Sequence, residues 1–279
     1  MKKRLIEIAV ISNTHLGAES GQADALLAYL SSISPKILVL NGTVWETKTD
    51  IQKAFSSRHF GILKKLFAMS AAGTKIYYVC EYPDAVDRKF KEKAPGNIYV
   101  TANLILNLDG KKAWFTHGDF LDSPLFDAKW VQRLGTGGLR ILAETIRYKN
   151  RVWNTVNRHA TEVCRPPGSD RENRLKKGSG FSETIVKLAV GRGCDYLICG
   201  APQDLCNLWL ETRAGKCQYL SAGDWVENLT TLEYNFKRWK PYRYSEDKLS
   251  PFFADEDLKQ MNVKDILAKN LKTGSALAG

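Results

Sequence analysis

What most constrains this chain is the way its short apolar runs end. Leu5 to Ile11 is a β-branched run that gives way to Asn13-Thr14-His15, and Ile37 to Leu40 stops at Asn41-Gly42-Thr43. Lys75 to Cys80 stops at Glu81-Tyr82-Pro83-Asp84, Ala113 to Thr116 at His117-Gly118-Asp119, and Tyr196 to Cys199 at Gly200-Ala201-Pro202-Gln203. Runs this short, bounded by turn residues and rich in Val and Ile, read as buried strands. In open α/β sheets the chemistry gathers where such strands pass into loops. The five clusters are therefore the candidate site.

The segments between them set the architecture. Ala23 to Ser32 and Phe60 to Met69 have helical spacing, the second stopping at Gly73, so the chain opens with a βαβ unit. Asp109-Gly110 joins Leu104 to Leu108 and Ala113 to Thr116 as a hairpin. After a helical and then a Pro-, Gly- and charge-rich stretch, a helix is predicted near Ser182 to Val190. Strands follow at Leu205 to Glu211, Lys216 to Ser221, Leu229 to Asn235 and Trp239 to Tyr244, with turns at Ala214-Gly215 and Asn235 to Arg238. Asp255, Glu256 and Asp257 open a last helix that Lys269 and Lys272 close, the polarity a helix dipole favours. This is an α/β domain over residues 1–246, with a basic helical insertion at about 124–180, followed by a C-terminal helix and tail over 247–279.

Composition narrows the class. With 279 residues, 44% hydrophobic and 25% charged, the chain is an ordinary globular one, and no apolar run is long enough to span a bilayer. Six cysteines without a CxxC pair read as reduced thiols, so a cytoplasmic protein is expected. The net charge of +11 favours an anionic partner, and it is concentrated: Asp127 to Gly180 holds twelve basic residues against five acidic ones. Nothing resembles a nucleic-acid reading module, so no specific nucleic acid is expected.

The five clusters, taken together, resemble the DxH, GD, GNHD, GH and GHTH motifs of the calcineurin-like metallophosphoesterase superfamily, over about the first 245 residues. The likeness is nearest to its UDP-2,3-diacylglucosamine diphosphatase branch, with Ser221-Ala222-Gly223-Asp224-Trp225-Val226-Glu227-Asn228-Leu229-Thr230 as a matching ending. The resemblance implies a four-layer α/β/β/α sandwich and two divalent cations that generate a metal-bound hydroxide for phosphoester or pyrophosphate hydrolysis.

The residues depart from that pattern at most ligand positions. Asn13 stands where the family has its first Asp, Thr43 where the bridging Asp belongs, Tyr82 where an Asn ligand belongs, and Ala201 and Gln203 where two His ligands belong. Pro83 takes the place of the catalytic His, and only His15 and His117 keep a ligand type. Two adjacent dications repel strongly unless carboxylates screen them, and two imidazoles fall short of the three protein ligands usual for catalytic zinc. The expectation is a pseudoenzyme without a cofactor. An active form would need a divalent metal such as manganese on an altered centre, with one weak ion between His15 and His117 helped by Asp84 or Asp119. The plainer reading makes His15 and His117 hydrogen-bonded polar residues and Asp84 and Asp119 turn or cap residues. His59 and His159 are expected at the surface, and Cys194 and Cys199 in the core.

In the insertion, Leu139 to Arg158 reads as one helix with Arg140, Arg147, Arg151 and Arg158 along one line and Leu142, Ile146, Trp153 and Val156 opposite. That pattern suits a helix at a lipid headgroup layer, and equally a solvated face over a core-packed helix. In the resembled family this region is part of a lid over an acylated nucleotide sugar. The expected partners are thus an anionic lipid at the inner membrane face, a sugar nucleotide, or a protein. Three functions stay open: a non-catalytic binder, a working hydrolase of UDP-2,3-diacylglucosamine or a related phosphoester in lipid A synthesis, and a structural subunit that forms a homodimer or pairs with an active paralogue.

Overall fold

The structure is a computed structural model that describes residues 2–16, 22–44, 57–80, 96–118, 136, 141, 145, 180–200, 205–250, 258 and 262–276. Among the described residues eleven strands form two mixed sheets. The first sheet contains β1 (Arg4–Ser12), β2 (Ile33–Asn41), β3 (Lys75–Val79), β4 (Ile98–Thr101), β10 (Thr230–Asn235) and β11 (Arg238–Arg243), in the order β11-β10-β1-β2-β3-β4. The second contains β5 (Asn103–Leu108), β6 (Lys111–Thr116), β7 (Tyr196–Cys199), β8 (Leu205–Thr212) and β9 (Gly215–Ala222), in the order β5-β6-β7-β9-β8. The central strands of each sheet are parallel, and the hairpins β10–β11, β5–β6 and β8–β9 supply the antiparallel parts. Four helices are described: α1 (Ala23–Ser32), α2 (Ser57–Ala71), α3 (Gly180–Gly191) and α4 (Val263–Ala276).

Burial on both faces explains the nearly continuous apolar runs of the parallel strands. On β1, Ile8 and Val10 join Val39 and Val79 against Phe115, Ile198 and Leu220 of the other sheet, while Ala9 and Ile11 turn toward Leu26, Tyr29 and Leu30 of α1 and Ile62 and Leu66 of α2. The second sheet repeats the arrangement, with Trp114, Leu197 and Cys217 facing Ile185, Val186 and Ala189 of α3. A one-residue slip would exchange these faces, so the alternating pattern fixes register.

Several boundaries differ from the expected ones for identifiable reasons. β2 begins at Ile33, ahead of the expected Ile37, and carries Pro35 in register with Ile6. The Pro35 carbonyl accepts the Thr74 hydroxyl at 2.8 Å, so its imino nitrogen also faces the side where β3 has not yet begun, and no ladder bond is lost. The short edge strand β4 went unnoticed in the sequence. His59 is a correction: expected at the surface, it is only 7% exposed, on a helix that packs against both α1 and α4. The C-terminal helix also differs, since α4 starts at Val263, where the Asn262 side chain accepts the Lys264 amide at 3.0 Å. Asp255, Glu256 and Asp257 lie outside the described residues. Asn270 anchors α4 to α2, its amide donating to Phe67 O at 3.0 Å and its oxygen accepting the Ser70 hydroxyl at 2.6 Å. Cys194 and Cys199 are buried, as expected. Among the described residues no helix is long and apolar enough to cross a membrane.

Candidate functional site

Parallel pairing aligns the ends of β1 and β2, with Ser12 opposite Asn41, and β6, β7 and β9 finish together with Thr116, Cys199 and Ser221 in adjacent register. The loops that leave these ends meet between the sheets. Asn13 is at their centre and is 4% exposed. Its side-chain amide donates to Gly200 O at 2.6 Å, with Gly223 O at 3.5 Å, and its oxygen accepts the Thr43 amide at 3.3 Å. The Asn13 carbonyl in turn accepts the Trp225 amide at 3.2 Å. One side chain therefore ties the β1 and β2 loops to the ends of β7 and β9.

Local backbone geometry makes this contact. Asn13 and His15 both adopt left-handed φ values, 49° and 42°, directly after β1, and beyond Asn13 the chain still runs beside the segment after β2, with His15 N and Leu16 N donating to Thr43 O and Val44 O. Asn is among the few non-glycine residues that tolerate this conformation. Gly42 is required by two constraints at once: its φ is 102°, and a Cβ would lie 2.7 Å from Asn13 Oδ1. At Gly200 a Cβ would lie 2.8 Å from the Asn41 backbone, so the two sheets approach too closely there for a side chain. Gly200 N donates to the carbonyls of Thr116 and His117, which brings the β6 end into the same network.

The structure thus links three of the sequence-predicted positions, Asn13, Thr43 and His117, through Gly200, and His15 meets Thr43 through its backbone amide. Tyr82, Pro83, Asp84, Asp119, Ala201 and Gln203 lie outside the described residues, as do Arg140, Arg147, Arg151, Arg158 and His159. In the insertion, Thr136, Ile141 and Thr145 are helical.

Two participants, Ser12 and Asp224, lay outside the five clusters, and Asn41 lay inside one but was given no role of its own. Ser12 and Asn41 are both fully buried, and the Ser12 Oγ and Asn41 Oδ1 atoms have no hydrogen-bond partner among the described residues, while the Asn41 amide reaches across to Ile198 O at 3.4 Å. Period-two alternation was the available signal, since it points Ser12 and Asn41 to the same side as Val10 and Val39, between the sheets. Asp224, at the end of β9, is a carboxylate 4% exposed. It is consumed by its own loop: Oδ1 accepts the amides of Val226, Glu227 and Asn228 at 2.8, 2.7 and 3.2 Å, and Oδ2 accepts the Asn228 side chain at 2.6 Å. Beside the site, burial holds the Tyr78 hydroxyl well above its ordinary range, with the Val44 backbone hydrogen bond opposing it, so the phenol stays neutral.

The described donor set does not fit a pair of divalent cations. Among the described residues no group of three or more His, Cys, Asp or Glu is placed to hold a metal. Asn13 offers a neutral amide whose N–H points at carbonyls, Thr43 has no carboxylate, and Asp224 already has its oxygens occupied. No protein-family model matches the chain, and no curated protein matches it. What the fold establishes is the class: an α/β protein with two mixed sheets of six and five strands and four described helices.

Proposed function

We propose that this chain is a degenerate metallophosphoesterase-type protein, a four-layer α/β/β/α sandwich with a basic helical insertion, that works as a pseudoenzyme. Its ligand is anionic, a lipid or sugar nucleotide held between the strand-end cleft and the insertion, or a protein partner that covers the same face. Support comes from the strand ends that are described, where Asn13, Thr43 and Gly200 share one hydrogen-bonded network. The observation that carries the reading is the Asn13 amide, which spends its N–H on Gly200 O at the position where a dimetal site needs a carboxylate.

An amide brace and an anionic metal ligand make opposite electrostatic demands. A carboxylate in this setting would face the oxygens of Gly200 and Gly223 and would need a cation to relieve the repulsion. The amide satisfies the same carbonyls with no cation. Selection for a folded cleft without the hydrolytic centre accounts for this exchange together with Thr43, Tyr82, Pro83, Ala201 and Gln203.

Metal stoichiometry tests the proposal. Protein purified without chelator is saturated with manganese, desalted and measured by elemental analysis. Essentially no bound metal is expected. About two ions per chain would overturn the pseudoenzyme and direct attention to UDP-2,3-diacylglucosamine hydrolysis.

A further inference from the structure

The opposite end of the first sheet, where β1, β2 and β3 begin, carries a surface that the strand-end cleft does not use. β10 and β11 are joined there by a two-residue hairpin, with Asn235 paired to Arg238 and Phe236-Lys237 at the tip. Both tip residues are left-handed, at φ 51° and 62°. This turn normally takes Asn-Gly or Asp-Gly, and the chain's own β5–β6 hairpin does so with Asp109-Gly110 at φ 51° and 85°. A bulky aromatic in that conformation is disfavoured, and its ring gains no burial within the fold: Phe236 is 79% exposed. Folding stability therefore does not account for a phenylalanine here.

The surroundings have one chemistry. Leu5 is 72% exposed beside the tip, where the Asn235 side chain donates to Leu5 O at 3.2 Å. A groove of about 880 Å³ runs from Phe236 and Leu5 past Lys36 to Gly73 and Lys75, with Glu7 as its one lining acid among the described residues. Glu7 is engaged, accepting the Phe236 amide at 3.3 Å. Lys36, Lys75, Lys237 and Arg238 are exposed, and none has an ion pair among the described residues. An exposed aromatic at a hairpin tip, a second exposed apolar side chain and a ring of unneutralised cations match a bilayer surface, where rings enter the acyl boundary and Lys or Arg reach phosphates.

We propose that this strand-start end docks on an anionic lipid bilayer, with Phe236 and Leu5 inserting and Lys36, Lys75, Lys237 and Arg238 meeting the headgroups. From Leu5 to Ser12 the first strand advances about 23 Å. The docking surface and the strand-end cleft are thus at opposite ends of the sheet. This goes beyond the function proposed above and uses different residues.

Co-sedimentation with vesicles of phosphatidylcholine and phosphatidylglycerol in equal parts tests it, with pure phosphatidylcholine vesicles as comparison. The full chain is expected to bind the anionic vesicles, more weakly as salt rises, and to leave the neutral ones largely free. The paired change Phe236→Asn with Lys237→Gly installs the dipeptide the turn prefers. It should raise the unfolding midpoint while weakening vesicle binding by at least about ten- to a hundredfold, the loss of one buried aromatic anchor together with one headgroup-facing lysine. Because that variant gains stability, lost binding cannot be ascribed to misfolding. Equal binding to neutral vesicles, no binding by the parent chain, or unchanged binding by the Asn-Gly variant would each overturn the proposal. Arg140→Glu with Arg147→Glu and Arg151→Glu is run in parallel. Loss of binding in that variant alone would overturn the hairpin surface and assign the membrane to the insertion.

Discussion

Asn13 donates its side-chain N–H to the Gly200 carbonyl at 2.6 Å and so joins the loop after β1 in one sheet to the end of β7 in the other. Substituting Asp for Asn13 keeps the shape and removes the donor, setting a carboxylate against two carbonyl oxygens. Loss of a buried hydrogen bond and the added repulsion should destabilise the fold by about 1–3 kcal/mol at neutral pH, read by urea denaturation. The deficit should shrink in acid, where the carboxyl protonates and regains a donor. Manganese should not rescue the neutral-pH loss, and a rescue would count against the pseudoenzyme reading.

Gly200 makes a second prediction by contrast with Gly193. Both are substituted by Ala. At Gly200 the new Cβ meets the Asn41 backbone at 2.8 Å, whereas at Gly193, with φ 64°, nothing lies within 4 Å. Gly193→Ala should cost only the left-handed backbone penalty, about 1 kcal/mol. Gly200→Ala must part the sheets at the candidate site and should cost more than that, about 2–4 kcal/mol, seen as a lower thermal midpoint.

Most of the fold was legible because burial on both faces writes parallel strands as apolar runs with abrupt polar ends. β1, β6 and β7 appear nearly as read. What was hidden depends on partners rather than on local pattern. β4 is a short edge strand whose residues are all half-buried, so no periodic face announces it. His59 looks like a surface residue because helical spacing alone does not show that α2 has neighbours on two sides, α1 and α4. At the site, the sequence marked Asn13 as a lost metal ligand, but only the structure shows that its amide has a structural use. Ser12 was passed over because a polar residue closing an apolar run looks like an ordinary strand end, and Asn41, inside a named cluster, was given no role of its own.

A second polar cluster fixes α1 to the first sheet. Arg4 forms a two-pronged pair with Glu233 at 3.1 Å on each prong, and the fully buried Tyr29 donates its hydroxyl to Glu233 at 2.9 Å. Burial, with the Glu233 charge acting in the same direction and Arg4 opposing, holds the Tyr29 hydroxyl well above its ordinary value. Tyr29→Phe should cost about 1 kcal/mol, because Arg4 still pairs with Glu233. Glu233→Leu should cost more, since it strands both the Tyr29 hydroxyl and the Arg4 guanidinium. Equal costs in guanidinium-induced unfolding would show that the phenol rather than the ion pair secures the helix.

Asp247 gives the chain a pH signature at the acid end. Burial alone would raise its carboxyl. It is outweighed by donors from the Ser250 hydroxyl at 2.7 Å, the Leu249 and Ser250 amides at 2.8 and 3.0 Å, and the Tyr242 hydroxyl at 2.8 Å. Together they hold it at about 2, against an ordinary 3.8. Because the folded value is the lower one, the stability it confers is complete above the ordinary value and is lost as pH falls from about 4 toward 2. With solvent screening of this partly exposed group, the contribution is about 1 kcal/mol. Asp247→Asn should therefore be less stable than the parent near neutrality, and the gap should close as pH falls through that window. Urea titrations of the two proteins across the acid range check the sign. A gap that widened on acidification would mean that the carboxylate is not the species these four donors hold.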